Sequence, residues 1–323
     1  MNKHIAPLLF ACLLALSACG PKNETAQQKM TYLYPVAING AYGFMDSTGV
    51  MKIAPAFTGA RDFHEGLAGV EYNGQWGFID TTGGWVISPR YKNVRDFSEA
   101  YAGAEIIGGW GYIDPTSAWR IPPSGAMHIL YPFRGRLAAV HRMGWWFFMR
   151  PNMKEPYGKR FLGARPFSEG KAAVKKMASP RLYGYITRDG KPVIAHRFDD
   201  ALDFSEGVAP VMTTGSGWGY IDDRGGWTIK PKYSAAQPFS GGLGSVCTGG
   251  ELTNPHELEN RWNSMTGGTW KYIRKDGTTA FTVGTIAKGY AAPFRGPLAR
   301  IEEEGAWYYV NRRGERVDPK PAS

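Results

Sequence analysis

The sequence predicts an all-β fold: a row of small antiparallel sheets, one per repeat of about 35 residues, curled into a propeller-like ring. The first observation is recurrence. Aromatic anchors at Tyr42, Trp76, Trp110, Trp146, Tyr183, Trp218, Trp270 and Trp307 follow one another at spacings of 34, 34, 36, 37, 35, 52 and 37 residues. The second is composition: 42 Gly, 11 Trp, 17 Tyr and 16 Phe in 323 residues suit short strands and tight turns better than helices. The third lies at the two ends. The last copy, 305–318, lacks the strand that follows the anchor hairpin elsewhere, and residues 32–40 resemble that strand, so the N-terminal strand is expected to complete the last repeat and close the ring. An open β superhelix capped by its first strand is the alternative.

Within one unit each element has a local cause. In Trp76-Gly77-Phe78-Ile79-Asp80, large apolar residues alternate with small or polar ones over the length of a strand. Thr81-Thr82-Gly83 makes the turn, with Asp80 placed to accept backbone N–H bonds and Gly83 free to take positive φ. The return strand runs from Trp85 to Ser88, and Pro89, which cannot donate to a central ladder, ends it or sits at an edge. A second turn, Phe63-His64-Glu65-Gly66 and its counterparts at Phe97, Phe133, Phe167, Phe204, Phe239 and Phe294, delivers a strand such as 67–72. Each unit therefore supplies three or four short antiparallel strands.

These blocks, W-G-[FY]-I-D-x-x-G, I-x-P-x-[FY] and F-S-E-G-[LV]-A, resemble the WG repeat, also called the KWG repeat, of bacterial secreted and surface proteins. The resemblance spans residues 32–318 and implies a β-rich repeat fold without implying a reaction. Some copies depart from it. Phe147, Lys271 and Tyr308 replace the Gly, while Arg150, Thr187, Arg274 and Asn311 replace the Asp, so both are favoured for geometry and neither is required for chemistry.

The N-terminus has a different character. Lys3, an apolar run from Ile5 to Leu16 and small residues before Cys19 form an export signal, too short for a permanent span. Leu16-Ser17-Ala18-Cys19 resembles the lipobox of bacterial lipoproteins, which makes Cys19 the lipid attachment residue; Gly20 in place of Asp then implies the outer membrane. The expected organisation is a signal peptide at 1–18, a lipidated flexible tether at 19–30, the repeat domain at 31–318 and a tail at 319–323. With Cys12 removed and Cys19 acylated, Cys247 stands alone and no disulfide is possible within the mature chain. The net charge of +10, or +9 after cleavage, suits anionic glycan, lipid headgroups or acidic proteins, and the compartment argues against nucleic acid.

Catalytic signatures are absent: the sequence has no H-E-x-x-H, G-x-S-x-G, paired C-x-x-C or Walker loop, and no cofactor or metal is expected. His64 reads as a turn residue, and the recurring Asp46, Asp80, Asp114, Asp222 and Glu65, Glu99, Glu169, Glu206 read as turn caps rather than a ring of ligands. The Trp series reads as core between repeats rather than a carbohydrate platform. Function is expected where the pattern breaks. The 52-residue spacing holds an insertion at 247–268, a candidate recognition loop with Glu251, His256, Glu257, Glu259, Arg261 and Trp262. A second irregular stretch occupies 121–132. The expectation is a lipid-anchored envelope protein presenting a rigid surface to a protein or glycan partner. A cell-wall or polysaccharide-acting enzyme with its site on the ring axis is the alternative.

Overall fold

The computed structural model describes residues 32–253 and 265–322. Eight antiparallel sheets follow one another at residues 34–57, 59–91, 93–124, 127–149, 163–198, 200–233, 235–285 and 289–317, here blades 1 to 8. Blades 1 and 4 have three strands and the others four, each in meander order. No helix occurs among the described residues.

The blade starts earlier than the repeat does. A full blade runs from a short first strand through the Phe-x-Glu-Gly turn to a second strand, then through a tight turn to the Trp-Gly strand, and finally through the Asp-x-x-Gly turn to the Ile-x-Pro strand. In blade 2 these strands are Gly59–His64, Leu67–Tyr72, Gln75–Asp80 and Trp85–Tyr91. Pro89 does not end the last of them. It sits in a bulge on this edge strand, between the pairs Phe78↔Ile87 and Trp76↔Tyr91, so that Gly77 alone faces residues 88–90.

That bulge explains the Trp-Gly pair. A Cβ on Gly111 would lie 2.5 Å from the carbonyl oxygen of Ile121, and the same clash with an Ile carbonyl arises at Gly43, Gly77, Gly184 and Gly219. Glycine is therefore required where the bulged strand closes over it, whatever its own φ. Phe147, Lys271 and Tyr308 are tolerated because their blades lack this closure: blade 4 has no fourth strand, blade 7 runs Thr279–Thr285 without a proline, and in blade 8 only Arg316–Val317 pairs.

The core lies between blades. Each consecutive pair shares one apolar cluster, as where Tyr185 and Ile194 of blade 5 meet Phe204 and Ala209 of blade 6. At seven interfaces the aromatic two residues after the anchor packs on the Phe of the next blade's Phe-x-Glu-Gly turn or its counterpart. Phe44–Phe63, Phe78–Phe97, Tyr112–Phe133, Phe148–Phe167, Tyr185–Phe204, Tyr220–Phe239 and Tyr272–Phe294 have centroids 4.7 to 4.9 Å apart. Where the residue is Tyr, its buried hydroxyl also donates to the next blade's backbone, at Tyr131, Leu202, Gln237 or Ala292.

The ring closes, as predicted, but by a different device. Tyr34–Ile38 pairs with Ala41–Met45 in its own blade, and the last hairpin already has Leu298–Glu303 as its partner strand. Asn39 and Gly40, both at positive φ, form a two-residue turn that brings the first two strands together locally, at far less entropic cost than pairing across the whole chain. The two ends instead meet as neighbouring blades. Tyr34, Val36, Met45 and Met51 share a cluster with Leu298 and Tyr309, and Tyr34 takes the place of the missing Phe, 5.2 Å from Tyr309. Tyr309 Oη and Trp307 Nε1 donate to Pro35 O at 2.9 and 3.3 Å, and Tyr34 Oη donates to Arg295 O at 2.6 Å. The tail contributes too: Lys320 N donates to Gly49 O, and Met51 N donates to Lys320 O.

Candidate functional site

Meander topology puts the Phe-x-Glu-Gly and Asp-x-x-Gly turns on one face of the ring and the tight turns between second and third strands on the other. The first face is largely tied up internally. Asp80 Oδ1 accepts from Thr82 N, Thr82 Oγ1 and Gly84 N at 2.8, 2.6 and 3.0 Å, and Asp46, Asp114 and Asp222 cap their turns in the same way. The glutamates cap the next blade's turn. Glu65 accepts from the N–H of Glu99 and of Ala100, Glu99 from Gly135 and Arg136, Glu169 from Gly207 and Glu206 from Gly242. Ser98, Ser168 and Ser205 donate to Phe133 O, Phe204 O and Phe239 O, each at 2.6 Å. The recurring acids are thus staples between blades.

On the axis the structure gathers a group that the motif reading passed over. Just ahead of the turn Phe the chain carries Arg61-Asp62, Arg95-Asp96, Arg165-Pro166 or Leu202-Asp203, a position that holds only Asp or Pro in the sequence. Arg295 Nη1 of blade 8 lies 2.9 Å from Asp62 of blade 2, and Arg134 of blade 4 lies 3.7 Å from Asp203 of blade 6. These two ion pairs join blades that are not neighbours in the ring. Burial pushes Asp96 and Asp203 above the usual carboxylate range, against the pull of His64 and Arg61 on the former and of Arg165 and Arg134 on the latter. His64 Nε2 is 3.5 Å from Asp96 Oδ2, so this turn histidine is also an interblade contact. Charge converges here, with each carboxylate set against a guanidinium or an imidazole. The Trp anchors are structural as well: Trp110, Trp218 and Trp270 are buried, and Arg61 and Arg95 lie over Trp76 and Trp110 at 5.3 and 5.0 Å.

The other face is less occupied. Its tight turns carry Asn39-Gly40 in blade 1, Asn73-Gly74 in blade 2 and Glu304-Gly305 in blade 8, but Ile107 in blade 3, Met143-Gly144 in blade 4 and Met177 in blade 5. Met143 holds the same left-handed backbone, φ 52°, that Asn39 holds in blade 1, a conformation that costs a non-Gly, non-Asn residue energy. Ile107 is fully exposed and Met143 is 75% exposed, and Tyr72, Trp145 and Met177 extend the apolar arc over blades 2 to 5. Between blades 2 and 3 a groove of about 430 Å³ is lined by Gln75, Arg90, Tyr91, Lys92, Ile106 and Ile107.

The described ends of the insertion leave from this same face. It replaces the tight turn of blade 7 with a ribbon in which Glu251–Leu252 pairs with Met265–Thr266, leaving Glu251 exposed. Cys247 lies buried at its base against Gly250 and Gly268, and burial pushes its thiol up, away from thiolate chemistry. Cys19, His256, Glu257, Glu259, Arg261 and Trp262 lie outside the described residues. The irregular stretch 121–132 proves to be two ordinary strands, Trp119–Ser124 closing blade 3 and Met127–Leu130 opening blade 4.

Comparison with known proteins agrees with this geometry. Four segments match the WG containing repeat. They are residues 42–76, 76–109, 183–215 and 218–251, and each match runs from the anchor strand of one blade to just past the second strand of the next, sharing the phase of the sequence motif and not of the blade. Among solved structures, the chain resembles Kluyveromyces lactis Hsv2p (TM-score 0.51, 8% identity, 79% of this chain and 93% of that one). It also resembles a structure described as the eukaryotic initiation factor (0.51, 10%, 88% and 95%) and AztD from Citrobacter koseri (0.50, 9%, 90% and 95%). At such identities the likeness is one of fold. No curated protein matches the sequence.

Proposed function

We propose that this protein is a lipid-anchored envelope protein that holds a partner protein against the tight-turn face of its propeller. One observation carries the reading: the apolar arc of blades 2 to 5 and the blade 7 insertion leave from the same face, while most polar groups of the opposite face are used to bind neighbouring blades. Adaptable methionines and an isoleucine at turn tips suit the apolar surface of a protein better than a glycan. Arg90 and Arg181, exposed on the same edge without a carboxylate partner among the described residues, favour acidic flanks on that partner. The export signal and Cys19 supply the membrane tether, and Gly20 favours the outer membrane.

Cross-linked envelopes should yield a specific protein with the wild-type chain and much less of it with an Ile107→Asn, Met143→Asn double variant. Recovery of glycan alone, or equal recovery of the protein with the variant, would overturn the reading. For the tether, Cys19→Ala should move the protein into the soluble fraction, and continued membrane retention without acylation would contradict it.

A further inference from the structure

We propose that the Asp-turn face carries an anion site between blades 4 and 5 that binds a phosphate monoester. A cleft of about 470 Å³ there is lined by Arg136, Arg150, Arg188, Gly135, Pro151 and Asn152. The arginines come from three different turns, and none has an ion pair or side-chain hydrogen bond among the described residues. Several other cations on this face are engaged: Arg274 donates to Thr279 O, Lys275 pairs with Glu206, and Arg312 donates to Gly241 O and Gly296 O.

Two departures from the repeat build the cleft. Where blades 2, 3, 5 and 6 place Glu65, Glu99, Glu169 and Glu206, blade 4 has Gly135, and the guanidinium of Arg188 lies so close to it that a Cβ would overlap the charged group. Where Asp46, Asp80, Asp114 and Asp222 cap their own turns, blade 4 has Arg150. Two acidic positions are thereby lost and a cation is gained in one place. Two carboxylates remain at this edge, and both are engaged: Glu99 accepts from the N–H groups of Gly135 and Arg136, while Asp189, next to Arg188, accepts from Thr187 Oγ1 and pairs with Lys191 at 2.9 Å. The Arg150 exchange also releases an amide. Thr82 N and Thr116 N donate to turn aspartates, whereas the equivalent Asn152 N has no acceptor among the described residues.

Three guanidinium forks and a free N–H match a tetrahedral dianion better than a single carboxylate. The volume exceeds that of bare phosphate and leaves room for the alcohol that carries it. The alcohol is either a soluble polyol or a lipid.

The test is titration of the purified full-length protein with glycerol 3-phosphate, with acetate, and with vesicles of phosphatidylcholine with and without phosphatidic acid. Either phosphate monoester should bind at least about tenfold more tightly than acetate, the loss expected for a missing charge-assisted contact. Binding of the free ester assigns a soluble ligand, and binding of phosphatidic acid vesicles alone assigns a lipid headgroup. Arg150→Asp restores the residue that caps four other blades, so it should keep the melting temperature while weakening binding about tenfold or more. Arg188→Gln should weaken it likewise, and Arg274→Asp, at the equivalent turn of blade 7, should not. Equal affinity for acetate, no binding of either monoester, or unchanged binding by Arg150→Asp and Arg188→Gln would overturn the proposal. None of these outcomes depends on whether a protein docks on the opposite face.

Discussion

Gly77 shows how much one hydrogen in place of a methyl group decides. Its partner strand bulges over it, with Pro89 N and the Ile87 carbonyl where a Cβ would stand. Gly77→Ala should therefore cost about 1–3 kcal/mol of stability, measured by urea denaturation, because two backbones would have to part. The need for Gly was legible in its recurrence and its cause was not, since the cause lies on another strand. Asp114 makes a related case with charge. The Thr116 hydroxyl, with the amides of Ala118 and Thr116 and the Arg120 guanidinium, outweighs desolvation and holds its carboxyl at about 2. A carboxylate held below its unfolded value of about 4 stabilises above that pH and loses the contribution as pH falls through 2. The stability gap between wild type and Asp114→Asn should accordingly be full at neutral pH and vanish near pH 2, as thermal melts across that range would show.

At the scale of elements, the strands and their turns follow from local sequence, whereas the blade boundary does not. Trp-to-Trp phasing splits every blade in two, because the motif marks the Asp-x-x-Gly hairpin while the sheet also recruits the preceding Phe-x-Glu-Gly arm. What joins blades is carried by the variable letters of the motif. The position two residues after the anchor holds either Phe or Tyr, and only Tyr can reach across: Tyr220 Oη, buried, donates to Gln237 O at 2.8 Å. Tyr220→Phe keeps the edge-to-face ring contact with Phe239 and leaves a buried carbonyl short of a donor, a loss of about 1 kcal/mol by chemical denaturation. The tight turns give the opposite sign. Met143→Asn, which restores the residue suited to that left-handed position, should raise the melting temperature slightly while reducing partner recovery. A turn that is less stable than its own repeat would make it is a sign of use elsewhere.

Over the whole molecule, closure turns eight nearest-neighbour interfaces into a cycle. An open array exposes two end blades, whereas here an eighth cluster joins the last blade to the first. Tyr34→Ala, which empties the aromatic place at that interface, should cost about 3–5 kcal/mol, as much as a large core truncation inside any blade. A markedly smaller loss on urea denaturation would mean that the seam is slack and the array behaves as an open solenoid.

Sequence alone determined the all-β class, the eight units, the turn chemistry and the place of the insertion, because each rests on short-range periodicity and turn geometry written within about 35 residues. Tertiary structure decided the rest. The seam is built from Tyr34, Pro35, Trp307, Tyr309 and Lys320, residues that lie at opposite ends of the chain. The axial Arg and Asp residues, the apolar arc and the arginine cleft each combine positions from different blades. Each such position belongs to its own repeat, and only the curvature of the ring makes them neighbours.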